Sequence, residues 1–179
     1  MACSSIVSLL RSCGQRITPG TDEYYFIRFG DLSANTSTRL VYSADTQDTI
    51  QAIYKNSGTT FVQVQGLKDT AGLTETGTID QTKGVNYLTQ TWKLSINYQS
   101  AADKTFIESV RDQPIVVLYK NRSGVYFATG VEGNLMLKTL EGGSGTDLSS
   151  SAAYALSFEG TSTSTVRLVN TSIVTGLIS

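Results

Sequence analysis

Tyr87-Leu88-Thr89-Gln90-Thr91-Trp92-Lys93-Leu94-Ser95-Ile96-Asn97-Tyr98 is the stretch that decides the fold. Leu88, Trp92, Leu94, Ile96 and Tyr98 hold even positions, and Thr89, Thr91, Lys93, Ser95 and Asn97 hold odd ones. A side-chain period of two belongs to a β-strand and puts the two sets on opposite faces. One face is therefore core and the other polar, over about twice the usual strand length. Immediately before it, Leu73 to Asp80 has strand composition, and the Gln81 to Asn86 loop, with Lys83-Gly84, joins the two.

Outward from this pair the pattern remains β. Tyr24 to Phe29 is aromatic and β-branched. Arg39 to Ser43, Thr49 to Tyr54 and Thr60 to Gln65 are further strands, with Lys55-Asn56-Ser57-Gly58 as the turn between the last two. Ile115 to Lys120 is nearly continuous in apolar residues, as a strand buried on both faces is. Asn121-Arg122-Ser123-Gly124 is a hairpin turn, Val125 to Thr129 returns, and Gly130 to Asn134 turns again into Leu135 to Leu140. Glu141 to Ser151 reads as a Gly/Ser-rich loop. Ala153 to Gly160 alternates with Tyr154, Leu156 and Phe158 inward, and Thr165 to Asn170 and Ile173 to Leu177 read as the last strands.

Two segments are not strands. Ser100 and Asp103 form a capping-box-like start, Phe106, Ile107 and Val110 make an apolar stripe, and Pro114 closes the segment. This predicts one flanking helix over about 101–111, covering an open side of the sheet. Residues 4–13 form either a short helix, capped by Ser4 or Ser5 and stopped by Gly14, or an extended arm. Thr18-Pro19-Gly20 is a turn. With no domain-splitting linker and no internal repeat, 1–179 reads as a single, mainly β domain.

Composition agrees. Charged residues are 16% of the 179, against a usual quarter, and polarity comes from 21 Ser and 24 Thr. Thr suits pleated, half-wet surfaces. A net charge of -1 gives no basic footprint for phosphate binding. The absence of His removes the commonest acid–base group and imidazole ligand, and no base stands beside a Ser or Cys nucleophile. Cys3 and Cys13 do not supply a zinc set and are read as ordinary thiols, or as a disulfide if their segment folds back. Asp45 and Asp48 lack EF-hand spacing. Gly142 to Asp147 lacks the Gly-Lys-Ser/Thr ending of a phosphate loop. No secretory signal and no membrane-length apolar run is read in the chain. The expectation is a non-enzyme with no cofactor and no metal.

From Leu67 to Thr161 the order of motifs resembles a known family. Leu67-Lys68-Asp69-Thr70-Ala71-Gly72-Leu73-Thr74-Glu75 precedes Tyr87 to Leu94; after the helix come Ile115 to Phe127, Gly130-Val131-Glu132-Gly133, the Gly-rich loop with Asp147, and Tyr154-Ala155-Leu156-Ser157-Phe158-Glu159-Gly160. This is similar to the tail tube (major tail) proteins of phages, those of Bacteroidetes-type hosts in particular. The chain departs from that pattern in having Val131-Glu132-Gly133-Asn134 in place of an Asn-Gly after Gly130, and in lacking a Pro-containing tail.

The resemblance implies a two-sheet β-sandwich or rolled barrel with one flanking helix. It implies six copies in a ring, a continuous inner barrel, and rings stacked into a tube that conducts genomic DNA without binding it specifically. Type VI secretion tubes and contractile injection particles share that fold. It implies no cofactor and no membrane, with the chain itself and other tail proteins as partners, and a place in the virion tail after assembly in the host cytoplasm. Under it Thr89, Thr91, Lys93, Ser95 and Asn97 face the lumen. Lys55 and Asn56 in their turn, Asp69, Thr70 and Glu75 in the Asp69 to Thr76 stretch, and the N-terminal arm are the ring-stacking candidates. Related readings are another tube, connector or tail-terminator component, and a ligand-binding β-sandwich module. The last needs a surface aromatic platform, whereas Trp92 falls on the apolar face.

Overall fold

A computed structural model describes residues 20–33, 39–42, 48–67, 69–80, 82, 84–97, 101–144 and 152–179. The helix-or-arm expectation for 4–13, both cysteines, Asp45 and Asp147 lie outside them. The strands are β1 (Thr21–Arg28), β2 (Leu40–Tyr42), β3 (Thr49–Ile53), β4 (Val62–Gln63), β5 (Gly72–Asp80), β6 (Val85–Asn97), β7 (Ile115–Asn121), β8 (Tyr126–Thr129), β9 (Met136–Gly143), β10 (Ala153–Ser162) and β11 (Arg167–Val169). The helices are α1 (Ala101–Val110) and α2 (Thr171–Ile178), and a single 3-10 turn spans Phe29–Asp31.

The fold is mainly β, in two sheets. One has the order β2-β3-β11-β8-β7-β1-β4, antiparallel except where β11 runs parallel to β3; the other is antiparallel, in the order β5-β6-β10-β9. Neither sheet closes on itself among the described residues.

Apolar side chains on both faces of the seven-stranded sheet explain the layering. Towards the four-stranded sheet it presents Tyr24, Phe26, Ile115, Val117 and Tyr119, which meet Trp92, Leu94, Ile96, Leu156 and Phe158. Away from it, Tyr25, Ile27, Ile50, Val116, Leu118 and Val169 form a second core. Ile115 to Leu118 are all wholly buried, so β7 is covered on both sides as its unbroken apolar run predicts.

α1 closes part of the inter-sheet core. Ile107 and Val110 are buried, and Phe106 stacks edge-on against Phe26 at 5.4 Å between ring centres. The second core is covered by α2, where the sequence reading expects a strand over Ile173 to Leu177; the described residues thus hold a second helix besides the expected flanking one. Asn170 explains the start, since its side-chain oxygen accepts from the Ser172 backbone N–H. Val174 and Leu177, three apart, are the buried pair on one helical face.

Two boundaries also differ. β4 pairs with β1 only through Tyr25–Gln63 and Phe26–Val62, far less than the expected Thr60 to Gln65. β9 runs on to Gly143, into the stretch expected to be loop, because it follows β10 in register to Ala153. Gly142 fits there because a Cβ would run into the Tyr154 ring.

Candidate assembly surface

The four-stranded sheet turns its second face to water. The register builds this face row by row. Thr76 lies beside Thr89, and Thr89 beside Thr161. Thr74, Thr91, Glu159 and Met136 form the next row, and Gly72, Lys93, Ser157 and Thr139 the one after. Ser95, Ala155 and Glu141 follow. Cross-strand Thr–Thr pairs each add about 0.2–1 kcal/mol, so the hydroxyl rows help hold the sheet as well as wet it.

Lys93 is exposed, Thr89, Thr91 and Ser95 are half-buried, and Thr74, Thr76 and Thr78 of β5 are exposed. The four odd positions Thr89, Thr91, Lys93 and Ser95 therefore share one uncovered face; the side chain of Asn97 lies outside the described part. A shallow depression of about 340 Å³ runs along Lys93, Ser95, Ser157 and Glu141. Charge on the face is sparse and balanced: Lys138 pairs with Glu159 at 2.8 Å, Lys93 supplies a cation and Glu141 a carboxylate. Lys138 is the extra residue of a bulge in β9, which turns it towards Glu159.

The sheet also ends in two long edges. Among the described residues β5 pairs only with β6, and β9 only with β10. Unpaired backbone along strands of nine and eight residues is a template for another strand.

The opposite face is pinned to the body by a polar chain. Thr129 donates to the Gln90 side-chain oxygen at 2.7 Å, and Gln90 donates to Glu75 at 2.9 Å. The same Glu75 oxygen accepts from the Val166 backbone N–H at 2.8 Å. Burial, and then the Glu75 charge, push the Tyr119 hydroxyl pKa well up. Glu75, expected to project towards a neighbouring ring, thus points into its own subunit. Its register partner is Gln90, one residue out of phase with the wet Thr74–Thr91 row.

The other stacking candidates form two separate pairs. The Lys55 ammonium donates to the carbonyls of Leu177 and Ser179, both at 3.2 Å, where the C-terminal end of α2 favours a cation. Asn56 is exposed and donates to the Gly30 carbonyl. Asp69 has a left-handed backbone, φ 59°, and its carboxylate pairs with Arg122. The Thr70 hydroxyl donates to the Leu67 carbonyl at 2.7 Å and accepts from the Ser95 N–H, so Asp69–Thr70 lies beside the wet face.

The sequence reading names the β6 residues of this face and takes 73–80 as their partner strand without singling out Thr74, Thr76 and Thr78, and it does not bring Ser157, Glu159 and Thr161 beside them. Their alternation is visible; the pairing that makes them neighbours is not.

Among the described residues no three His, Cys, Asp or Glu side chains gather as a metal set, and no helix is long and apolar enough to cross a membrane. Asp48 is held by Arg167 at 2.9 Å. No family model, no curated protein and no solved structure matches the chain.

Proposed function

We propose that this chain is a structural subunit that assembles with copies of itself into stacked rings, forming a phage tail tube through which DNA leaves the virion. One observation carries the reading: a four-stranded sheet with one apolar face, one hydroxyl-lined face and, among the described residues, an edge strand at each side that pairs with no further strand. Such a sheet is stable alone on its apolar side and incomplete at its edges. Pairing β9 of one copy with β5 of the next removes both edges at once, which only ring closure does for every subunit.

With the six copies implied by the family resemblance, the ring is a barrel of twenty-four strands, four from each. At about 4.8 Å per strand its wall is about 115 Å around and about 37 Å across before strand tilt widens it. That passes a DNA duplex. The wall is then Thr89, Thr91, Lys93, Ser95 and their neighbours, and its hydroxyls and balanced charges give phosphates little to hold. On this reading the chain performs no catalysis, needs no cofactor, and belongs to the virion tail. Asn56 and Asp69 remain as stacking candidates, while Glu75 is engaged in its own subunit.

Negative-stain electron microscopy of the purified chain at low and high concentration, with its solution mass, tests this directly. Stacked rings or tubes with six-fold end views are expected. A strict monomer at every concentration overturns the tube and favours a terminator-like component or a ligand-binding β module.

A further inference from the structure

We propose that copies meet along one defined seam, in which β9 pairs antiparallel with the next copy's β5 after a slide of four residues, setting Thr139 opposite the next copy's Thr76 and Glu141 opposite its Thr74. This rests on the ring reading above and adds to it the direction, phase and offset of the contact. Direction follows from the strand order. β5, β6, β10 and β9 are each antiparallel to their neighbour, so β5 and β9 run in opposite directions. Rotation about a ring axis keeps those directions, and the next copy's β5 meets β9 antiparallel. Phase follows from the pleat. Thr139 lies level with Gly72, through Ser157 and Lys93, and both belong to the wet face. Only a slide by an even number of residues keeps that face continuous across the seam.

The offset is built into the sheet, whose two edges do not end level. β5 starts at Gly72, level with Lys93 of β6, whereas β9 runs on to Gly143, level with Asn97, four residues further along β6. With no slide, Leu140 to Gly143 lie beyond the end of β5. A slide of four the other way leaves the two strands without overlap. The proposed slide brings Gly143 opposite the next copy's Gly72 and Met136 opposite its Thr78, so all of β9 has a partner. Four residues at about 3.4 Å over four strands at about 4.8 Å tilt the strands by about 35°, within the usual 35–45°, whereas a slide of six gives about 47°. The apolar side gains as well. The next copy's Leu73 lies opposite Gly142 and diagonal to Leu140, which is 43% exposed in the single chain. It then covers the depression of about 210 Å³ beside Leu140, Tyr154 and Ile107. Ile79 and Asp80 pass beyond Met136, so the hairpin tip still projects from the ring.

The test is disulfide cross-linking in the full chain carrying Cys3→Ser and Cys13→Ser. Thr139→Cys with Thr76→Cys, and separately Glu141→Cys with Thr74→Cys, place thiols directly opposite across the seam. Thr139→Cys with Thr74→Cys, or with Thr78→Cys, places them two residues out of step. Within one copy the two edges are three strand spacings apart, about 14 Å, too far for a disulfide. Each variant is assembled reduced, checked for rings by negative stain and then oxidised mildly; the second facing pair guards against one substitution disturbing assembly. Both facing pairs are expected to give non-reducing ladders reaching six chains, about tenfold faster than either staggered pair. Faster cross-linking of a staggered pair, or rings in which neither facing pair cross-links, overturns the register and leaves the ring standing. A chain without these substitutions that never forms rings overturns both.

Discussion

Trp92 is wholly buried, yet its indole N–H finds no acceptor among the described residues. Its surroundings are rings, with Tyr24 at 5.8 Å and Tyr119 at 5.0 Å between centres. An orphaned buried donor costs about 1–3 kcal/mol, which the area of the indole more than offsets. Trp92→Phe removes the orphan and keeps most of the ring. Urea unfolding is expected to show a change of no more than about 1 kcal/mol, whereas Trp92→Ala leaves a cavity and loses about 3–5 kcal/mol. A large loss for Trp92→Phe would mean that the N–H is satisfied in solution.

Three buried tyrosines set the alkaline limit. Burial raises Tyr25 from 10.0 to about 12, with the Glu23 carboxylate that accepts its hydroxyl adding to the effect; burial likewise raises Tyr24 and Tyr119. In the unfolded chain these hydroxyls ionise near pH 10. Folding is therefore undiminished by them below pH 10, and the stability they carry drains away as pH climbs from 10 through 12. Tyrosinate absorbance and Trp92 fluorescence are expected to change together in one transition above pH 10. Separate transitions would place the tyrosines outside the cooperative core.

Among the elements, the β5–β6 hairpin carries both the core and its outermost tip. β10 accompanies β6 only as far as Leu88, so among the described residues Thr78 to Asp80 and Val85 to Tyr87 extend beyond it as a two-stranded ribbon. There Ile79 is 70% exposed although it falls on the same side of β5 as Leu73. An apolar side chain at the end of a projecting hairpin suits a contact between copies. Ile79→Asp is expected to leave subunit stability within about 0.5 kcal/mol while shortening or abolishing tubes in the microscope. Tubes of normal length would remove the hairpin tip from the stacking contact.

This hairpin also marks how far sequence alone reaches. β6 was legible because its period of two is repeated in residue after residue, and β7 because every position of Ile115 to Leu118 is apolar. α2 was not: Thr171, Ile173, Val174 and Thr175 are β-branched, a strand's composition, and only the Asn170 cap and the burial of Val174 and Leu177 on the sheet decide for helix. The wet face was half legible. Thr89 to Ser95 show themselves by alternation, but their neighbours on β10 arrive from far along the chain, and no local pattern encodes that pairing. Glu75 was misplaced for a simpler reason. Counted in twos from Leu73 it falls on the inner face, where Gln90 and the Val166 N–H receive it.

At the scale of the whole molecule, the question is which way the four-stranded sheet faces once copies join. If the hydroxyl rows line a channel, the side chain of Thr91, half-buried in the free subunit, is enclosed in the tube, while Thr60, on the β3–β4 connection, is exposed and lies off the four-stranded sheet. Thr91→Cys and Thr60→Cys, each with Cys3→Ser and Cys13→Ser, separate the two cases. A maleimide on a polymer too large for a channel about 37 Å wide is expected to label Thr91→Cys in subunits, to spare it in tubes, and to block ring closure when added first. Lys93→Glu changes only the charge of the same face, so rings are expected to form normally with it. Tubes whose position 91 reacts as fast as free subunits would put the hydroxyl face outside. The edges β5 and β9 would then have to close around the opposite surface, which already packs Trp92 and Phe158 against the seven-stranded sheet. That conflict is why the proposed tube puts the hydroxyl face, and not the apolar one, towards its lumen.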